Sequence, residues 1–184
     1  LFPYTTLFRS AVVFTDRVEH VVPPVKGRKH AMRVIRDLLA FRPMGRRTDL
    51  PGALRYTSKL LGHRSIVVVL SDFVAQGWEQ PLRQLAARHD VVAITVDDPR
   101  EEQVPASGWI EFEDAESGER MLVDTGDAEV RKRWTGLATA AREARAQKLL
   151  QAGADHIALE TEGDYALILR RAFARRLRHR RGAR

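Results

Sequence analysis

The sequence predicts an α/β protein built on a doubly wound, mostly parallel sheet, with a β-hairpin inserted late in the chain. Three observations predict it. Residues 66–70 are an unbroken apolar run, and 91–96 are apolar except for Thr95; both are rich in β-branched side chains. Strands buried on both faces of a parallel sheet read this way, because polar alternation disappears. Segments with helical apolar spacing separate these runs, so strands and helices alternate. Both runs end in oxygen-bearing side chains, Ser71-Asp72 and Asp97-Asp98, at the sheet edge where open α/β proteins bind ligands.

The elements follow in order. Residues 1–10 contain no Asp, Glu or Ala and no initiating Met. They are expected to be a foreign leader, with a natural edge strand as the other reading. Residues 11–15 form a short strand, and Asp16-Arg17 turns the chain into a second strand that Pro23-Pro24 is expected to stop. From residue 28 to 41, Ala31, Val34, Ile35, Leu38 and Leu39 lie at helical spacing. Arg42-Pro43-Met44-Gly45 ends that helix. Thr48 or Asp49 caps the next, which has Pro51 in its first turn and runs to about residue 61. After the central strand at 66–70, Gly77 opens a helix over 78–88 with Leu82, Leu85 and Ala86 turned inward.

Beyond the strand at 91–96 the texture changes. Ile110, Phe112, Met121 and Val123 lie on two alternating runs around a Ser117-Gly118 turn, the pattern of a β-hairpin. A long helix over 128–152 stops at Gly153, followed by a strand at 156–159 and an amphipathic helix at 164–177. Sheets of this type usually begin on a central strand, whereas this chain is expected to begin on the second. The domain is therefore expected to span 11–178 without its first strand, with 179–184 as a basic tail.

Composition narrows the chemistry. The chain has 184 residues, no cysteine and a net charge of +7. Disulfides, thiolate zinc sites and cysteine nucleophiles are excluded. Eight arginines and no acids fall within 170–184, so the rest is close to neutral. That distribution reads as the solvated face of a docked terminal helix. Leu167, Ile168, Phe173 and Leu177 form its apolar stripe, without the interleaved aromatics of a nucleic-acid surface. No run approaches the ~20 apolar residues of a membrane span, and no stretch of the given sequence combines a basic start with an apolar core as a signal peptide does. A cytoplasmic protein is expected, with neither nucleic acid nor membrane as partner of this segment. The six histidines are scattered without a metal-binding pair.

The best candidate constellation is Thr48 with Asp72, joined by Ser71. A hard cation such as Mg²⁺ takes oxygen ligands, and in a doubly wound sheet a loop before a helix and a strand end open into one crevice. On spacing alone these residues read first as helix and turn caps, which are common where metal sites are rare. Ser71 follows a buried strand as a nucleophile would, but the Gly-x-Ser-x-Gly elbow is absent. There is no Gly-x-x-x-x-Gly-Lys run for a nucleotide either.

A series of short motifs is more specific than any one of them. Phe14-Thr15-Asp16-Arg17-Val18-Glu19 is followed by Lys26-Gly27-Arg28-Lys29-His30, Arg47-Thr48-Asp49-Leu50 and the stretch from Arg64 to Phe73. Arg88 to Ala93, Asp98 to Glu102, Asp114 to Glu119 and Val123-Asp124-Thr125 complete it. In this order they resemble the bacterial family called domain of unknown function fifty-eight, over residues 11 to about 178. The resemblance implies a von Willebrand factor A-like, Rossmann-like fold. It also implies a metal-ion-dependent adhesion site made from Asp-x-Ser-x-Ser after the first strand, a loop Thr and an Asp after the fourth strand. Thr48 and Asp72 match the second and third elements, and the first is absent from this sequence.

What the resemblance implies is a non-catalytic protein-interaction module carrying a remnant Mg²⁺ site, with Ser71 and Asp49 beside the ligands. The implied partners are a MoxR-type AAA+ ATPase and an unknown client protein, in assembly or remodelling of other proteins. No enzyme activity is expected. The alternatives are a metal-assisted hydrolase using the same crevice, and a nucleic-acid or membrane-surface binder acting through the basic tail.

Overall fold

A computed structural model of the chain describes residues 7–114 and 118–182. Strands β1 (Phe8–Phe14) and β2 (Val18–Lys26) form an antiparallel hairpin around Asp16-Arg17. β1 begins inside the segment expected to be a leader, with Phe8 opposite Lys26 and Arg9 opposite Val25. Residues 1–6 of that segment lie outside the described residues. Pro23-Pro24 does not stop β2. Arg9 pairs with Val25 but Ala11 with Val22, so the prolines fall at a bulge opposite Ser10, where the ladder needs no N–H from them.

Helix α1 (Arg28–Ala40) packs on this hairpin but leaves much of its apolar stripe uncovered, Ile35, Leu38 and Leu39 included. Asp49 caps α2 (Leu50–Leu60) by accepting the Gly52 N–H at 2.8 Å. β3 (Ile66–Leu70), α3 (Glu79–Arg88), β4 (Asp90–Asp97) and the single turn α4 (Pro99–Glu102) follow. β5 (Trp109–Glu113) and β6 (Arg120–Asp124) form the expected hairpin, with Ile110 opposite Val123 and Phe112 opposite Met121. Of its Ser117-Gly118 turn, Ser117 lies outside the described residues. α5 (Ala128–Gln151) ends at Gly153, whose φ of 83° suits only glycine without strain. β7 (Asp155–Glu160) and α6 (Tyr165–Gly182) complete the chain.

The architecture is mixed α/β. β3, β4 and β7 form a parallel sheet in that order, and β1-β2 and β5-β6 are separate antiparallel pairs. On one face of the parallel sheet Val67, Val69, Val91 and Ala93 meet Leu50, Leu54, Leu82, Leu85 and Leu149 from α2, α3 and α5. On the other, Val92, Ile94, Ile157 and Leu159 meet Ile168, Leu169 and Ala172 of α6.

Two expectations are corrected here. β3 is not buried on both faces and is not central: it ends the sheet, and Ile66, Val68 and Leu70 are 63%, 51% and 62% exposed. α6 lies over β4 and β7, so among the described residues nothing packs on that side of β3 as α6 does on its neighbours. The central strand is β4, buried from Val91 to Thr95. On α6 the sheet-facing residues are Ile168, Leu169 and Ala172, whereas Leu167 and Phe173 are each more than a third exposed.

Candidate functional site

The crevice forms where the loop before α2 meets the end of β3. Glu19 on β2 holds that loop. Its carboxylate accepts the Thr15 hydroxyl at 2.6 Å and the backbone N–H groups of Met44 at 3.0 Å and Gly45 at 2.8 Å. These bonds, the Thr15 hydroxyl first, keep the Glu19 carboxyl below the usual carboxylate range. Gly45 is required by close approach, since a Cβ there would collide with the side chains of Thr15 and Asp16. The Asp49 N–H then donates to the Thr15 carbonyl at 2.7 Å. Thr48 is thereby delivered to the crevice wall.

From the other side, β3 ends in a tight corner. Ser71 donates its N–H to the Ile94 carbonyl at 3.2 Å. The Ser71 hydroxyl accepts the Phe73 N–H at 3.1 Å, and Asp72 Oδ1 accepts the Val74 N–H at 3.1 Å. Phe73 is held at a φ of 55°, sparsely populated for a bulky residue. Its ring is buried edge-on against Trp78, 5.2 Å away, and the Trp78 indole N–H donates to the Phe73 carbonyl at 3.1 Å.

Thr48, Ser71 and Asp72 all line one cavity of about 630 Å³ between β1, α1, α2 and β3. The two expected ligands thus share a hollow. Asp49 is spent on the α2 cap instead. The Ser71 hydroxyl is engaged by Phe73 and by Asp72 Oδ1 at 3.4 Å; these contacts position the corner rather than activate a nucleophile.

Asp97 belongs to a neighbouring network that spacing did not reveal. Arg145 on α5 pairs with Asp97 and donates to the Asp72 carbonyl at 3.0 Å, joining the carboxyl ends of β3 and β4. Arg142 pairs with Glu102 at 2.8 Å and Glu160 at 3.4 Å. The Thr95 hydroxyl lies 3.3 Å from Asp97 Oδ2 and 3.0 Å from His156 Nε2. Burial first, then the Arg145 charge, pushes His156 below the ordinary imidazole range. Asp98 does the expected turn work, capping α4 through the Arg100 N–H at 2.9 Å. Only the two carboxylates closing the apolar run at 91–96 hinted at this network.

Mg²⁺ prefers roughly six oxygens in octahedral array. One hydroxyl and one carboxylate fall well short, and no group of three His, Asp or Glu placed to hold a metal occurs among the described residues. The donors among the described residues do not, by themselves, fit the ion. No helix among them is long and apolar enough to cross a membrane.

Fold and crevice define a class: a mixed α/β domain with an oxygen-bearing corner at the carboxyl edge of its parallel sheet. The chain belongs to the family described as "Protein of unknown function DUF58", whose family model matches residues 9–146. It is 34% identical over 165 residues to "Uncharacterized protein Rv1480" of Mycobacterium tuberculosis, and equally to "Uncharacterized protein Mb1516" of Mycobacterium bovis. Each match takes in 88% of this chain and 51% of the relative, so the chain spans about half the length of these curated relatives. It is also 33% identical over 147 residues to "Uncharacterized protein MAV169" of Mycobacterium avium, covering 78% of this chain and 86% of that protein. Among solved structures, the "Uncharacterized Membrane Spanning Protein from Vibrio fischeri" aligns with 91% of this chain and 74% of its own, at 14% identity and a TM-score of 0.23.

Proposed function

We propose that the chain is a protein-interaction module of von Willebrand factor A-like design, acting without catalysis of its own. In this reading Thr48 and Asp72 are two ligands of a divalent-cation adhesion site whose remaining donors come from outside residues 7–182. The observation that carries it is that Thr48, from the loop before α2, and Asp72, from the corner after β3, line the same cavity. A cation held there with one open position would take a carboxylate from a partner, a recognition event in which no bond is cleaved. The partner proposed is a MoxR-type AAA+ ATPase, which would supply the nucleotide chemistry, acting on a client protein in assembly or remodelling.

Titration calorimetry of the complete polypeptide with Mg²⁺ or Mn²⁺ tests the site. A binding isotherm is expected, abolished by Asp72→Ala and weakened at least about tenfold by Thr48→Val, which removes one ligand. An isotherm that neither substitution changes removes the site from this crevice.

A further inference from the structure

The β4–β7 half of the molecule is polarised along its strands. At the carboxyl edge, β4 ends in Asp97 and leads to Asp98, Glu101 and Glu102, and β7 ends in Glu160 and leads to Glu162. At the amino edge, Arg176 of α6 pairs with Asp90 and Asp155, the first residues of β4 and β7. The arginine-rich end of α6 therefore lies there. Acid gathers at one end and base at the other.

At the acid end a second cavity, of about 370 Å³, lies between α4 and α5. Trp134, Leu137 and Ala141 give it an apolar lining, with Leu137 65% exposed. Arg142 and Arg145 also line it, but Glu102, Glu160 and Asp97 already engage them. Asp98 and Glu101 complete the lining, and neither forms an ion pair among the described residues. Such a cleft fits a cationic side chain, whose aliphatic stem lies along apolar surface while its charge meets the carboxylates. The chain carries a row of these. Arg171, Arg175 and Arg178 fall at i, i+4 and i+7 of α6, one stripe along the helix. All three are exposed, and none forms an ion pair among the described residues.

We propose that the α4–α5 cleft receives the Arg171–Arg175–Arg178 stripe of a second copy of this chain. The stripe does not fill the cleft of its own molecule, because α6 packs on one face of the parallel sheet and α5 on the other. The length of β4, about 26 Å for its eight residues, further separates the two edges. Each copy thus offers the cleft at one end and the stripe at the other. The contact is heterologous, and copies add head to tail beyond a dimer. A net charge of +7 opposes close approach of copies. The attraction therefore rests on the two local surfaces and weakens as salt screens them. The contact uses neither Thr48 nor Asp72 and needs no cation, so it stands apart from the proposed adhesion site.

Sedimentation velocity of the full 184-residue chain, with no metal added, tests it. At about 0.05 M salt the mass should climb with protein concentration past that of a dimer, and at about 0.5 M salt it should return to that of a monomer. Glu101→Arg and Arg175→Glu each place like charges across the contact, and each should weaken association at least about tenfold. Both side chains are exposed, so the fold survives either change. The double variant exchanges the charges across the contact and should recover association that the single variants lose. A monomer at every concentration in low salt overturns the proposal. So does association that the single substitutions leave intact, because another face or another partner for the arginines then accounts for it. A double variant no better than the single ones also overturns it.

Discussion

β3 and β4 look alike as sequence and differ as structure. Both are mainly apolar and rich in β-branched residues, they are parallel neighbours, and a carboxylate stands at or just after the end of each, Asp72 for β3 and Asp97 for β4. β4 has a strand on each side and helices on both faces. Among the described residues β3 has one neighbouring strand and one covered face. Burial in a sheet is thus set by what lies alongside a strand as much as by its own residues. The same run of valines is core in one place and lining in the next.

The widest gap between the two should appear in large-to-small substitutions. Ile94→Ala, buried against Ile157 and α6, is expected to cost about 3 kcal/mol in urea unfolding. Val68→Ala, on the open side of β3, should cost less than about 0.5 kcal/mol in the 184-residue chain. Similar losses would erase the distinction. Next comes the tie between them: Arg145→Met removes the contacts to Asp97 and to the Asp72 carbonyl and should cost about 2 kcal/mol, because it leaves the largely buried Asp97 carboxylate only the Thr95 hydroxyl and the more distant Arg142. A smaller effect, about 1 kcal/mol, is expected for Asp49→Ala, which uncaps α2.

The gentlest effect is a pH slope. His89 precedes β4 and His156 pairs with its Ala93. Burial above all, with Arg88 and Arg64 near the first and Arg145 near the second, lowers both imidazoles below their usual 6.5. The unfolded chain then binds protons that the native one refuses, so stability is full above that value and falls as pH drops through it toward the lowered native values. Urea midpoints should hold level above about pH 7 and decline below about 6.5. His89→Leu should flatten the decline, and an unchanged slope would assign it elsewhere.

These contrasts mark what the sequence could carry. Periodicity located every strand and long helix, because each rests on local spacing, and it brought Thr48 and Asp72 to one hollow through the geometry of open sheets. It misplaced the centre, because an apolar run reads the same with one neighbour or two. Pro23-Pro24 misled for a related reason: a bulge depends on the register of the partner strand, which no local pattern encodes. Arg145 with Asp97, and Thr95 with His156, are joined across 48 and 61 residues, and nothing near any of them announces the other.

The corner after β3 has a consequence of its own. Phe73 and Trp78 clamp it from beneath, independently of the groove above. Whatever comes to that groove finds Ser71 and Asp72 already fixed on its lining by their bonds to the Phe73 and Val74 N–H groups, like a latch mounted before its door. Evolution can therefore rewrite the groove's occupant without having to rebuild the fitting that receives it.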